Sequence, residues 1–157
     1  MSVRHTTSLV MRALFDTLGN IRGKTFLELF AGSGKIGEEA LKRGAKEVFF
    51  VEIDPRMVRE ISKKVARDYI LCMDYKKAIK KLYLDGKKFD IIFADPPYGM
   101  GFPSEILRVL EEVPLLKDDG LLVIERFFKE DFEPGSWKLL KERRYGDTIL
   151  SYLYKGV

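Results

Sequence analysis

The apolar positions of this chain alternate between helical and strand-like patterns. Over residues 8 to 18, Leu9, Val10, Ala13, Leu14 and Leu18 recur at helical spacing behind Thr7 or Ser8 as a cap, which predicts an opening helix. Thr25 to Phe30 then reads as a short strand, Ala31-Gly32-Ser33-Gly34 as a turn, and Lys35 to Lys42 as a helix that stops at Gly44. Val48 to Val51 is a continuous apolar run closed by Glu52, and Asp54-Pro55 supplies a cap with proline at the first helical position. Val58, Ile61 and Val65 line that helix. A short strand from Tyr69 to Cys72 leads to Asp74, after which Tyr75, Ala78, Ile79 and Leu82 repeat the helical stripe. Phe89 to Ala94 lacks polar alternation and predicts a buried fourth strand, ended by Pro96 and Pro97. Beyond it, Ser104 to Glu112 reads as a helix, Leu121 to Glu125 as a fifth strand, and Trp137 to Arg143 with Thr148 to Tyr154 as a closing pair.

Strands alternating with helices predict an α/β fold, a mostly parallel sheet covered on both faces, with ligands beyond the carboxyl ends of the strands. Ala31 to Gly34, Glu52, Asp74 and Asp95 to Tyr98 all follow strand ends, so the candidate chemistry gathers there. A length of 157 residues fits one domain. No apolar run approaches the about 20 residues needed to span a bilayer, and residues 1 to 24 lack a secretory signal. With a single cysteine, Cys72, there is no intrachain disulfide, and a reducing cytoplasm is expected.

Lys and Arg number 28 against 24 acidic residues, a modest +4, but the excess is unevenly placed. Arg4, Arg12, Arg22 and Lys24 face only Asp16 near the start. Lys76, Lys77, Lys80, Lys81, Lys87 and Lys88 crowd one stretch, and Lys138, Lys141, Arg143 and Arg144 form a third group. Such patches neutralise phosphates or simply solvate a helix face, and charge alone leaves both readings open.

The first turn carries Gly32-x-Gly34, with Gly37 where a third glycine of a nucleotide fingerprint falls. Glycines there let backbone approach a ligand at a helix N-terminus. Glu52, at the end of the second strand, stands close to the about 20-residue offset at which a carboxylate accepts both ribose hydroxyls of a nucleoside cofactor. The same carboxylate repels a 2′-phosphate, which disfavours a phosphorylated dinucleotide. Asp54 reads as a helix cap. Asp74 either accepts from an adenine amino group or caps the helix beginning at Tyr75.

Asp95-Pro96-Pro97-Tyr98 is the most informative stretch. Two prolines fix the backbone, so the Asp95 carboxylate and the Pro96 carbonyl form a rigid pair of acceptors, and Tyr98 offers a flat face. The arrangement suits a planar exocyclic amine: acceptors gripping its hydrogens orient it and favour a nitrogen with an available lone pair, ready for an electrophilic methyl group.

Leu29-Phe30-Ala31-Gly32-Ser33-Gly34, Val51-Glu52-Ile53-Asp54 and Asp95-Pro96-Pro97-Tyr98, in that order, resemble the motif set of S-adenosylmethionine-dependent amino-group methyltransferases. More narrowly, residues Arg4 to Phe15 resemble the Arg-Pro-Thr-x-x-x-x-Arg-x-Ala-Leu-Phe opening of the bacterial ribosomal RNA guanine-N2 methyltransferases, the RsmD-like family. Gly44-Ala45 and Phe89-Asp90 agree with it, and the similarity covers nearly the whole chain. The resemblance implies a Rossmann-like class I methyltransferase with a seven-stranded, mostly parallel sheet. Residues 1–24 would form its helical opening segment and 25–157 its core. It further implies methylation of a guanine N2 amine in 16S RNA, either free or within an assembled small ribosomal subunit, by a cytoplasmic monomer that needs no metal.

On that resemblance, Glu28, Phe30, Ala31, Gly32 and Gly34 surround the methionine part of S-adenosyl-L-methionine. Glu52 takes its ribose and Asp74 its adenine, Ile53 and Tyr75 also line the cofactor, and Asp95 borders it. Asp95, Pro96, Pro97 and Tyr98 hold a guanine that is unpaired or flipped out, with Tyr98 replacing lost stacking. Arg4, Thr6, Arg12 and Arg22 are expected to meet RNA. The chain starts almost at the Arg-x-Thr motif, with His5 where the family usually has proline, so these groups and the basic patches are expected to supply the phosphate contacts.

Other classes share parts of this pattern. A DNA adenine-N6 methyltransferase uses the same Asp-Pro-Pro-Tyr chemistry but resembles this core plus a target-recognition region. A protein-glutamine methyltransferase usually carries Asn at the position of Asp95. A cofactor-binding ribosome-assembly factor without transfer would not need an intact Asp95 to Tyr98. A cytosine-C5 enzyme needs a nucleophilic cysteine beside proline, whereas Cys72 lies between Leu71 and Met73.

Overall fold

Thr7 opens the fold by accepting from the Val10 amide at 3.2 Å, which caps helix α1, Ser8–Leu18. The computed structural model describes residues 7–156; Arg4, His5 and Thr6 lie outside them. After α1 come β1 (Thr25–Leu29), α2 (Lys35–Lys42), β2 (Glu47–Val51) and α3 (Pro55–Ser62), then a short 3₁₀ turn, Arg67–Tyr69, and β3 (Ile70–Leu71). The chain continues through α4 (Tyr75–Leu84), β4 (Phe89–Ala94), α5 (Phe102–Glu112), β5 (Leu116–Phe127), β6 (Trp137–Tyr145) and β7 (Thr148–Lys155).

The strands form one seven-stranded sheet in the order β3-β2-β1-β4-β5-β7-β6. Every pair from β3 to β5 is parallel, while β7 runs antiparallel between β5 and β6. Successive residues of the central strands face opposite layers. Leu27, Leu29, Ile92 and Leu122 pack under α4 and α5, whereas Phe26, Phe50, Phe93 and Val123 pack under α1, α2 and α3. The order reverses between β1 and β4: the chain builds outward from β1 to β3, then returns to the other side. Such a switch point opens a crevice at the carboxyl ends of the adjoining strands.

Several expected boundaries shift for local reasons. Phe30 falls outside β1 because its φ of 55° bends the chain away from the sheet. The strand expected over Tyr69 to Cys72 is reduced to Ile70–Leu71 because the 3₁₀ turn takes Tyr69. Val65 lies past the end of α3 but still packs on the core. Helix α5 begins earlier than expected, since Pro103 is tolerated in a first turn. Strand β5 is far longer than Leu121 to Glu125. Lys117-Asp118-Asp119-Gly120 has turn composition yet lies in the strand, at an irregularity where pairing with β4 jumps from Leu116 to Leu121.

Candidate active site

Glu28, near the end of β1, is 3% exposed, and its Oε1 accepts the Gly37 amide at 2.9 Å. It thus satisfies an otherwise free donor in the first turn of α2, a helix whose own cap, Gly34, has no side chain to do so. Burial pushes the Glu28 carboxyl well above its ordinary range. The Gly37 amide opposes that shift, and the charges of Asp95, Glu52 and Glu125 add to it. Four carboxylates therefore share the crevice at the ends of β1, β2, β4 and β5.

The glycine turn is held from both sides. The Ala31 amide donates to the Val51 carbonyl at 3.0 Å and the Gly32 amide to Glu52 Oε1 at 2.6 Å. Glu52 Oε2 also accepts the Asp54 amide at 2.9 Å. Gly32, at φ 58°, has nothing within 4 Å of where a Cβ would stand, so the backbone there borders open space. Gly37 does the opposite work: a Cβ would stand 2.3 Å from the Phe50 ring, so the helix approaches β2 as closely as it does only because that atom is missing. Beside the turn, Ile53 keeps a large apolar side chain 66% exposed. Asp54 is the cap of α3, accepting the Arg56 amide at 2.9 Å.

Asp74 also acts as a cap, with Oδ2 accepting the Lys76 amide at 3.0 Å, and it remains partly exposed. Tyr75 is buried, its ring 5.0 Å from that of Phe30 and 5.9 Å from that of Phe102. Its hydroxyl donates to Glu105 Oε1 at 2.6 Å, and burial followed by that carboxylate pushes the phenol far above its ordinary range. The Tyr75 side chain is thus committed to bracing the turn through Phe30. Phe102 and Glu105 were not singled out from the sequence.

After β4, Pro96 is buried while Asp95 and Tyr98 are half-buried at the crevice. The Tyr98 ring lies 4.7 Å from that of Phe127, at an interplanar angle of 35°, and Phe127 is 5.0 Å from Phe128. The loop turns sharply at Gly99 and Gly101, whose amides both donate to Glu130 Oε2 at 2.8 and 3.3 Å. Glu130 is itself anchored: Arg126, buried at the end of β5, donates to its carbonyl at 3.2 Å and to the Glu142 carboxylate at 2.9 Å. Phe127, Phe128, Arg126 and Glu130 also escaped sequence reasoning, although a pair of aromatics at the end of a predicted strand was an available signal.

The basic residues divide between the two ends of the sheet. Arg12 is exposed on α1. Arg22, just before β1, sits at the amino end, away from Asp95, with its side chain against Gly44. Lys76 and Lys77 start α4 on the crevice side, while Lys87 and Lys88 follow its far end. On the edge strand β6, Arg143 and Arg144 lie opposite Leu150 and Ile149, near the crevice end of β5, and Arg144 stacks on Phe128 at 3.9 Å. Lys138, at the start of β6, is remote from that end. Two shallow depressions, one beside Leu41 and Tyr69 and one beside Asn20 and Asp119, open at the amino end and include none of the crevice residues. Among the described residues no cluster of three or more metal-ligating side chains occurs, and no helix is long and apolar enough to cross a membrane.

Comparison with known proteins agrees with this architecture. The model of the family described as Conserved hypothetical protein 95 matches residues 1–154. The chain is 33% identical to the ribosomal RNA small subunit methyltransferase D of Haemophilus influenzae, over 98% of this chain and 83% of that protein. Among solved structures, a hypothetical protein of Thermus thermophilus superimposes with a TM-score of 0.82 at 30% identity, covering 98% of this chain and 89% of that one. An RNA methyltransferase of Salinibacter ruber, solved with S-adenosyl-L-homocysteine, shares the fold at a TM-score of 0.72 and 16% identity, over 97% of this chain and 93% of its own.

Proposed function

The chain belongs to the Conserved hypothetical protein 95 family, and from that premise we propose that it methylates the exocyclic N2 amine of a guanine in 16S ribosomal RNA, with S-adenosylmethionine as methyl donor. The observation that carries this reading is the Asp95-Pro96-Pro97-Tyr98 loop at the crevice end of β4, with Tyr98 against Phe127 and the carboxylates of Glu28 and Glu52 alongside.

The residues present fit such a donor. Glu52, Asp95 and Glu125, whose charges all bear on buried Glu28, concentrate negative potential that suits a sulfonium cation and opposes an anionic phosphate cofactor. Gly32 borders open space, and the exposed Ile53 offers an apolar surface for a nucleoside. Glu28, Phe30, Ala31, Gly32 and Gly34 would hold the methionine part. Glu52 would take the ribose through acceptor capacity left beyond its two amide bonds, and Ile53, Asp74 and Tyr75 would border the adenine. When bound, the cofactor supplies an electrophilic methyl group.

The protein's own groups do the rest. The Asp95 carboxylate and the Pro96 carbonyl accept the two amine hydrogens of the guanine and fix the nitrogen's direction of approach. Tyr98, backed by Phe127, supplies a stacking surface for a base withdrawn from its neighbours. Arg143 and Arg144, at the near end of β6, are placed to meet phosphates. In this reading residues 1–157 act as one methyltransferase domain, a cytoplasmic monomer whose partner is 16S RNA, free or in the small subunit.

The deciding experiment offers undermethylated 16S RNA, naked and as assembled subunits, with labelled S-adenosylmethionine, and digests the product to nucleosides. Label in N2-methylguanosine is expected. Label only in DNA adenine or in protein, or cofactor binding without transfer to any of these, overturns the reading.

A further inference from the structure

The segment that follows Tyr98 has a geometry that base stacking by Tyr98 does not require. Gly99 and Gly101 both adopt left-handed φ, 83° and 75°, so the chain doubles back around the single residue between them. The amides of both glycines donate to the same oxygen of Glu130, which pins the inner side of the bend. Met100 is left at the tip, 68% exposed. Among the described residues, no other large apolar side chain at the carboxyl end of the sheet is as exposed; Ile53 is 66% and Leu9 64%. A mobile loop tip is ordinarily polar, whereas this tip is anchored by a carboxylate and ends in a methionine.

We infer that Met100 is a wedge that enters the RNA stack where the target guanine leaves it; the inference rests on the function proposed above and extends it to how the base is extruded. A base drawn out of a stack leaves a gap that apolar side chains fill, and a thioether chain is long, unbranched and polarisable against the faces of the bases on either side. The spacing suits this role, since Tyr98 receives the extruded base and Met100, two residues on, occupies the space behind it. Phosphates flanking the extruded nucleotide have cations nearby, since Arg144 lies 3.9 Å and Lys129 5.6 Å from the Phe128 ring, next in the aromatic row after Phe127 and Tyr98. Glu130 holds the wedge at a fixed height, so that insertion and base capture occur together.

The test uses two RNA fragments spanning the modified guanine once nucleoside digestion and mass spectrometry have located it. One fragment has the native sequence. In the other the nucleotides flanking the guanine are abasic, so the base starts unstacked. Met100→Ala is expected to lower transfer to the native fragment at least tenfold and to the abasic fragment less than twofold, while Met100→Leu stays within threefold of the parent on both. An active parent whose preference between fragments is unchanged by Met100→Ala overturns the wedge alone. A parent that labels no guanine in 16S RNA, free or within assembled subunits, leaves no such fragment to choose and overturns the proposed function and the wedge together. Equal loss on both fragments, with cofactor affinity preserved, assigns Met100 a general part in RNA binding and likewise overturns the wedge.

Discussion

The Glu52 carboxylate accepts the Gly32 amide at 2.6 Å, so a side chain at the end of β2 fixes the backbone of the turn that follows β1. The same group reaches forward to the Asp54 amide at 2.9 Å, which ties the start of α3 into the arrangement. A single carboxylate thus sets the shape of two loops that border the proposed donor.

Replacing Glu52 by Ala is expected to weaken S-adenosylmethionine binding by about 1.5 to 3 kcal/mol, the usual worth of hydrogen bonds to a charged group. Glu52→Gln, which keeps one acceptor, should lose less. Titration calorimetry checks both, and unchanged affinity for Glu52→Ala would remove this residue from the donor's surroundings.

Asp95→Ala should abolish methyl transfer while cofactor affinity stays within about twofold of the parent, because in the proposed mechanism Asp95 grips the guanine and only borders the donor. Parallel loss of binding and transfer would contradict that division of labour.

Glu130→Ala frees both glycine amides and lets the loop carrying Tyr98 move. With two hydrogen bonds to a charged group at stake, each worth about 1.5 to 3 kcal/mol, kcat/KM for RNA should fall about 10- to 100-fold. Thermal stability should change little, since the contact lies at an exposed loop. Glu130→Gln retains an acceptor and should recover most of the loss in steady-state assays.

Glu28 makes stability fall as pH rises. Below the ordinary carboxyl range both folded and unfolded chains hold the proton at Glu28 and nothing is lost. Above it the unfolded chain ionises while the buried carboxyl still holds its proton, so stability declines until the raised folded-state pKa is passed. Glu28→Gln should therefore unfold at a higher temperature than the parent near neutral pH and converge with it in acid, each kcal/mol regained appearing as about 2 to 4 °C. A cationic donor favours ionised Glu28, so the parent's affinity for it should rise with pH more steeply than the variant's. A Tm difference independent of pH would refute the assignment.

Gly37→Ala places a methyl group 2.3 Å from the Phe50 ring and should cost about 1 to 3 kcal/mol by overpacking. Phe50→Leu in the same chain should return part of that loss. Non-additivity in thermal or denaturant unfolding measures the contact, and additive losses would place the strain elsewhere.

Much of this architecture was legible in the sequence because its strands are short apolar runs punctuated by glycine, proline and capping Asp. Phe89 to Ala94 matches β4 at both ends, Thr7 is the cap of the two residues expected before α1, and Asp54 caps α3 as expected. What stayed hidden depends on long-range packing. The charged stretch 117–120 reads as a turn because the sequence does not show that Leu116, just before it, pairs with Phe89 and so carries β5 back beyond the irregularity. The aromatic backing of Tyr98 and the grip of Glu130 join residues 29 or more positions apart, and no local period announces such a pairing. Glu28 was expected near the cofactor only through the family resemblance, and its role as a buried partner of α2 follows only from the close approach that Gly37 allows.

Strand β7 lies inside the sheet, although β6 precedes it in the chain. During synthesis the outer edge of β5 stays open until β7 has emerged, and only then can Ser151 meet Arg126, the residue that anchors Glu130. The loop that is proposed to receive the guanine is therefore braced last. The central parallel strands can thus pair before the last hairpin braces the wall that carries Arg126 and Glu130.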